Sequence, residues 1–245
     1  MSEINFGYEQ GRRNAPNKEI FPMIDHELNN IQICDLGSVL MRNTLPESYW
    51  QLIDNAKETC SKLIMSGIKD SNDLFRLFDD NNEVELLSTK YNIGIDYMKK
   101  LYSLLKFHSY KPFQLKKLQS IDPAHSKSLS LVNVKTNGDL LTKCTSHNDR
   151  SSIVNICKIP DSQLNALLSI SDLIRKPGIK EIKALLFIKL GVRSLYELSQ
   201  KNPIEFRSEI KNKIGNENMD RAIPTEKEIN SDIAWARILP RIIDI

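Results

Sequence analysis

The feature that most constrains this chain is the stretch from Leu167 to Leu198, LLSISDLIRKPGIKEIKALLFIKLGVRSLYEL. Apolar residues recur there at Ile179, Ile182, Leu185, Leu186 and Leu190, the spacing of a buried helix face. Pro177-Gly178 interrupts the pattern on one side and Gly191-Val192 closes it on the other. Proline cannot continue a helix, and glycine takes the left-handed conformation of a helix end without a Cβ clash. The stretch therefore predicts a helix, a tight turn at Pro177-Gly178, a second helix, and a third helix after Gly191. Ala184 supplies a small residue where the two arms of the hairpin approach.

A chain that packs itself in this way is all-α, and its composition agrees. Nine glycines and 7% aromatics in 245 residues are few for a β-sandwich or a nucleotide-binding sheet. A hydrophobic fraction of 40% against 27% charged is ordinary for a soluble protein of one large domain or two to three small ones. No run of 18 apolar residues suggests a membrane span. The opening MSEINFGYEQ carries an early acid and no apolar core, so no signal peptide is expected. Cys34, Cys60, Cys144 and Cys157 show no Cys-x-x-Cys spacing, which leaves reduced thiols in a cytoplasmic protein as the expectation.

The Gly191-Val192 stop has two echoes. Gly67-Ile68-Lys69 leads to Asp73-Leu74, Asn133-Val134-Lys135 to Asp139-Leu140, and Gly191-Val192-Arg193 to Glu197-Leu198. The offsets are 134 − 68 = 66 and 192 − 134 = 58. At the first offset Ile93 meets Ile159, Met98 meets Leu164, Leu101 meets Leu167 and Leu104 meets Ile170. Ile223-Pro224 likewise corresponds to Ile159-Pro160. Three diverged helical repeats follow, over residues 45–110, 111–173 and 174–245. Residues 1–44 read as a partly irregular arm in which Ile20–Ile24 could dock on the body, and Ile31–Met41 as either a short helix or a strand. A helix is expected from Pro46, with Trp50, Ile53, Ala56 and Cys60 on one face. Trp50 and Trp235 are both expected in the core or between repeats.

The glycine turn, the small residue and the closing glycine-hydrophobic pair resemble the helix-hairpin-helix superfamily. The tandem arrangement resembles an uncharacterised bacterial domain-of-unknown-function group built from such modules. The second glycine of the usual turn is replaced here by Lys180, and the second copy keeps only Leu115, Leu118, Ile121 and Leu129 of the hairpin pattern. The resemblance implies that amides of the turn hydrogen-bond a phosphate of the nucleic-acid backbone. Unpaired N–H groups at a helix N-terminus form such an anion site on general grounds.

The residues that would carry this contact are Arg175, Lys176, Gly178, Ile179, Lys180 and Lys183. From Leu173 to Lys213 there are 10 basic and 4 acidic residues, a local net of +6 (10 − 4), although the whole chain carries only +3. A patch of this kind gives salt-sensitive, sequence-independent affinity. A solvated helix-helix turn explains the same residues without a ligand. The second candidate is Lys99–Lys117, six lysines interleaved with Tyr102, Phe107, His108, Tyr110 and Phe113. Core packing of Leu101, Tyr102, Leu104, Leu105 and Phe107 at helical spacing accounts for most of that pattern.

Catalysis is not expected. His147-Asn148-Asp149-Arg150 reads as a polar loop without a nucleophile, and His26, His108 and His125 make no metal-ligand pair. Asp79-Asp80-Asn81-Asn82-Glu83 lacks the alternation and glycine of a calcium loop. No phosphate loop or dinucleotide fingerprint occurs, so no cofactor, metal or small-molecule substrate is expected. Two functions lead: non-catalytic binding of nucleic acid, DNA before RNA, through the last hairpin, or a protein-interaction scaffold whose hairpins no longer hold phosphate; an enzyme whose site the sequence does not display is a third and weaker reading.

Overall fold

The computed structural model describes residues 28–41, 45–217 and 222–244. The irregular arm and the docking segment Ile20–Ile24 lie outside the described residues. Among the described residues the protein is all-α, with two isolated β-bridges, Gln32–Asp70 and Gln114–Thr136.

The helices are short, and most are started by side chains. They run α1 Ile33–Leu40, α2 Ala56–Met65, α3 Ser71–Leu77, α4 Asn81–Tyr91 and α5 Ile95–His108. Then come α6 Pro123–Leu131, α7 Asn137–Lys143, α8 His147–Cys157 and α9 Asp161–Leu173. The last four are α10 Glu181–Lys189, α11 Leu195–Ser199, α12 Pro203–Asn216 and α13 Glu226–Ala236. Asp70, Asp80, Asp122, Thr136, Ser146, Ser194, Asn202 and Thr225 each accept an amide of the first turn that follows. Helices this short are marginal alone and depend on burying one face against their neighbours.

Helix boundaries recur along the chain. α3 and α7 begin 66 residues apart (137 − 71), as do α4 and α8 (147 − 81) and α5 and α9 (161 − 95). α11 begins 58 residues after α7 (195 − 137). The left-handed residues keep the same spacing: Gly67, Asn133 and Gly191 have φ of +98°, +59° and +79°. After each, the next amide reaches back to close the preceding helix. Ile68 donates to the Leu63 carbonyl at 3.0 Å, Val134 to Leu129 at 2.9 Å and Val192 to Phe187 at 3.0 Å.

The recurring acid has the same local explanation. Asp73 accepts from the Lys69 amide at 2.9 Å, Asp139 from Lys135 at 2.9 Å, and Glu197 from Arg193. The small-apolar-basic-x3-acid-leucine signature is therefore a helix stop followed by an acid that accepts the basic residue's amide, and at Thr136–Asp139 it completes a reciprocal cap. Its basic residue contributes a backbone amide rather than a charge.

Residues 28–41 belong to the packed body rather than to an arm. Ile33, Leu36, Val39 and Leu40 of α1 are buried, which decides for a helix over a strand. Ile31 and Ile33 pair with Ser71 and Lys69 through 2.9 Å and 2.8 Å bonds. The helix expected from Pro46 is instead a 3-10 turn, Glu47–Leu52, and Asn55 at φ +58° separates it from α2. Trp50 is consequently 47% exposed, with its indole N–H 3.3 Å from the Leu45 carbonyl, and does not join the core. Trp235 does. His147–Arg150, expected as a loop, forms the first turn of α8, where Asp149 and Ser146 cap each other. Cys60, Cys144 and Cys157 are buried as free thiols; burial pushes Cys60 and Cys144 up to about 11, so they are small core residues rather than nucleophiles.

Candidate nucleic-acid interface

A helix, a glycine turn and a second helix form where the sequence places them. α9 ends at Leu173, Pro177 blocks its continuation, Gly178 turns the chain at φ +94°, and α10 starts from Lys180. Ile179 is the anchor. Its side chain is buried, and its amide donates to the Lys176 carbonyl at 3.1 Å. Ala184 and Phe187, with Leu186, form the buried face of α10, whereas Ile182 is 50% exposed and falls outside the expected stripe.

Gly178 and Lys180 are both exposed. The amides of Gly178, Lys180, Glu181 and Lys183 donate to no described residue. They sit at the positive end of the α10 dipole, and Lys180, the N-cap, contributes no side-chain cap of its own. Glu181, in the first turn, is directed away from the turn. Its carboxylate accepts from the amides of Gln119 at 2.9 Å and Ser120 at 2.7 Å, and those bonds hold its pKa below the usual range despite partial burial.

Two of the six candidate residues are corrected by their burial. Arg175 is 3% exposed and its guanidinium joins three parts of the chain. It donates to Asp172 Oδ1 at 2.9 and 2.7 Å, to Asn29 Oδ1 at 3.3 Å, to the Pro240 carbonyl at 2.9 Å and to the Leu28 carbonyl. The other carboxylate oxygen of Asp172 accepts the Leu195 amide at 2.7 Å, which fixes the start of α11. Lys176 is 5% exposed and pairs with Asp232 Oδ1 from α13. Burial lowers its pKa, and the Asp232 carboxylate opposes that shift. These two cations are internal struts, because an unpaired charge so deep would cost several kcal/mol.

Lys183 stands between the two situations. Its side chain is 19% exposed and its Nζ lies 2.5 Å from Asp232 Oδ2, an ionic contact without the alignment of a directed hydrogen bond. One carboxylate thus faces two ammonium groups. Together with Lys227 and Gly178 they edge a cleft of about 540 Å³ that α5 and the Leu45–Tyr49 segment close from the other side. Its floor is a stack: the rings of His108 and Trp235 lie 3.4 Å apart at 10°. Burial, with Lys176 and Lys111 adding like charge, holds His108 well below the usual histidine range, so the ring is neutral.

The Lys99–Lys117 stretch divides in the same way. Leu101, Leu104, Leu105 and His108 are core, and Tyr102 packs edge-on against Phe75 at 5.4 Å. Phe107 remains 52% exposed, with Lys111 5.7 Å from its ring centre. Sequence reasoning missed Asp172 and Asp232, the partners that draw Arg175 and Lys176 inward. Their only signal was a carboxylate set among apolar helix positions, SISDLI and NSDIAWA.

These features define a class: an all-α protein of recurring short helices with an exposed glycine turn at a helix N-terminus. Residues 119–239, from the turn before α6 to just beyond α13, match the family model described as Domain of unknown function (DUF4332). No curated protein and no solved structure matches the chain. No group of histidine, cysteine, aspartate or glutamate able to hold a metal occurs among the described residues, and none of their helices is long and apolar enough to cross a membrane.

Proposed function

We propose that this protein binds nucleic acid, DNA in preference to RNA, without sequence selectivity and without catalysis, through the turn between α9 and α10. In this reading the turn is of helix-hairpin-helix type, the helical units are its diverged copies, and the protein works in the cytoplasm, where its unpaired thiols stay reduced. The observation that carries it is the set of unpartnered amides at Gly178, Lys180, Glu181 and Lys183. A phosphate seated there meets the dipole of α10 and the exposed ammonium of Lys180, which pairs with no described residue, with Lys183 at its side. Arg175 and Lys176 lie behind the turn, where they contribute to stability and not to the phosphate contact.

The test is fluorescence anisotropy with labelled random-sequence duplex DNA and with RNA across a salt series. Affinity should fall steeply with salt, and Lys180→Glu should weaken it about tenfold and flatten the salt slope by roughly one. Absence of binding at low salt would reject the reading. The scaffold reading would then stand, and two observations favour it. The hairpin's first two cations are internal, and Met65 and Leu131 stand 75% and 78% exposed at positions 66 residues apart (131 − 65).

A further inference from the structure

The second copy has a groove where the third has its glycine turn. Its lining runs through Leu118, Gln119 and Ile121, which stand 58 residues before Lys176, Pro177 and Ile179 (176 − 118). The two turns use their chemistry oppositely. In the third copy the lysine after α9 points inward to Asp232. In the second that position is Leu118, which is buried, and the cations lie outside: Lys116, Lys127 and Lys135 edge a groove of about 750 Å³.

Among the described residues no carboxylate lines this groove. All three lysines are exposed, and none makes an ion pair among the described residues. The nearest acids are engaged elsewhere. Asp122 caps α6 by accepting the Ala124 amide at 2.7 Å, and Asp139 accepts the amides of Lys135 and Thr136 at 2.9 and 2.8 Å. The groove is also tied to the hairpin. The Glu181 carboxylate that holds Gln119 and Ser120 belongs to the first turn of α10, so the two surfaces adjoin.

We propose that the groove edged by Lys116, Lys127 and Lys135 is a second phosphate-binding station for nucleic acid, adjoining the α10 turn. This rests on the nucleic-acid reading of that turn and extends it: the ligand is a polyanionic backbone long enough to cross both surfaces, not an isolated phosphate. Three uncompensated ammonium groups each displace condensed counterions from such a backbone, which makes the contact strongly salt-dependent. The buried Leu118, Ile121 and Val134 form an apolar floor that a strand can lie across.

The experiment compares wild type, Lys180→Glu and the triple variant Lys116→Gln/Lys127→Gln/Lys135→Gln on labelled random duplex and single-stranded DNA over a salt series. All four positions are exposed, so melting temperatures should agree, and circular dichroism checks that they do. The triple variant should bind about 10- to 100-fold more weakly, with a salt slope shallower by roughly two to three. An unchanged affinity and slope in the triple variant, with loss in Lys180→Glu, overturns the groove and leaves the hairpin reading standing. Loss in the triple variant alone rejects the hairpin reading and overturns the two-surface path that rests on it. Tight binding of polyglutamate without binding of either DNA overturns the nucleic-acid assignment in favour of an acidic protein segment. The single- and double-stranded arms distinguish which form of backbone the groove takes.

Discussion

Arg175→Met tests whether the hairpin's first cation is a strut. Methionine keeps most of the side chain's length and apolar bulk but removes every donor. In the native protein this guanidinium, fully enclosed, ties Asp172 to Asn29, to the carbonyls of Leu28 and Pro240, and so joins the segment before α1 to the chain after α13. Without it Asp172 keeps only the Leu195 amide, on one oxygen, and a carboxylate 2% exposed is left short of a counter-charge. Removing one partner of a buried ion pair typically costs about 3–5 kcal/mol. That is a fifth or more of the ~5–15 kcal/mol that holds a domain folded. At roughly 2–4 °C per kcal/mol for a chain of this size, the melting temperature should fall by about 6–20 °C. Urea unfolding followed by circular dichroism gives the same quantity at fixed temperature. Lys at 175 should rescue little, because one ammonium cannot reproduce the guanidinium's fork. The double variant Asp172→Leu/Arg175→Met should recover part of the loss, since no charge is then stranded. DNA affinity of folded Arg175→Met should stay within about threefold of wild type, as rim charges, not buried struts, set it. A destabilisation below about 1 kcal/mol, or a large affinity loss in protein that remains folded, would refute the assignment.

Asp232→Asn should release Lys183 towards the cleft while leaving Lys176 buried beside a neutral amide. We expect lower stability by urea unfolding together with DNA binding as tight as wild type or tighter. His108 gives a pH dependence. Its folded pKa lies below the usual 6.5, so beneath that pH the unfolded chain binds a proton that the folded one refuses. Stability should be fully present above the unfolded pKa and decline as pH falls below it, by up to about 1.4 kcal/mol per pH unit. His108→Phe should remove that slope between about pH 6.5 and pH 5, above the range in which Glu181 and Glu228 titrate. Asp139→Ala removes the cap that accepts the Lys135 and Thr136 amides and should cost about 1 kcal/mol, measured by thermal unfolding.

Local signals in the sequence were read well because they have local causes. Gly178, Gly191 and the Gly67–Asn133 pair stop helices for a reason each carries alone, a positive φ. The recurrent acid is a pattern in the sequence, and its cause, a bond to the amide four residues before it, needs only one turn of chain. What escaped depends on residues distant in sequence. Arg175 and Lys176 look like surface cations beside a turn until Asp172, Leu28, Pro240 and Asp232 surround them. Trp50 looks like core because its neighbours repeat at helical spacing, but Asn55 breaks the helix and turns it outward. Ile182 has the right period on α10 and the wrong face, since Ala184 and Phe187 take the contact. Within the candidate site, Gly178 and Lys180 were legible, whereas the clustering of Lys116, Lys127 and Lys135 depends on how α6 packs beside the Gln114–Thr136 bridge.

Backbone amide chemical shifts observe the proposed contact without relying on a substitution. A ¹⁵N-labelled sample titrated with a short random duplex at low salt reports each N–H separately. The account predicts that Gly178, Lys180, Glu181 and Lys183 shift most, saturate together with the anisotropy curve, and return on adding salt. Saturable DNA binding that leaves these four amides unmoved would contradict it.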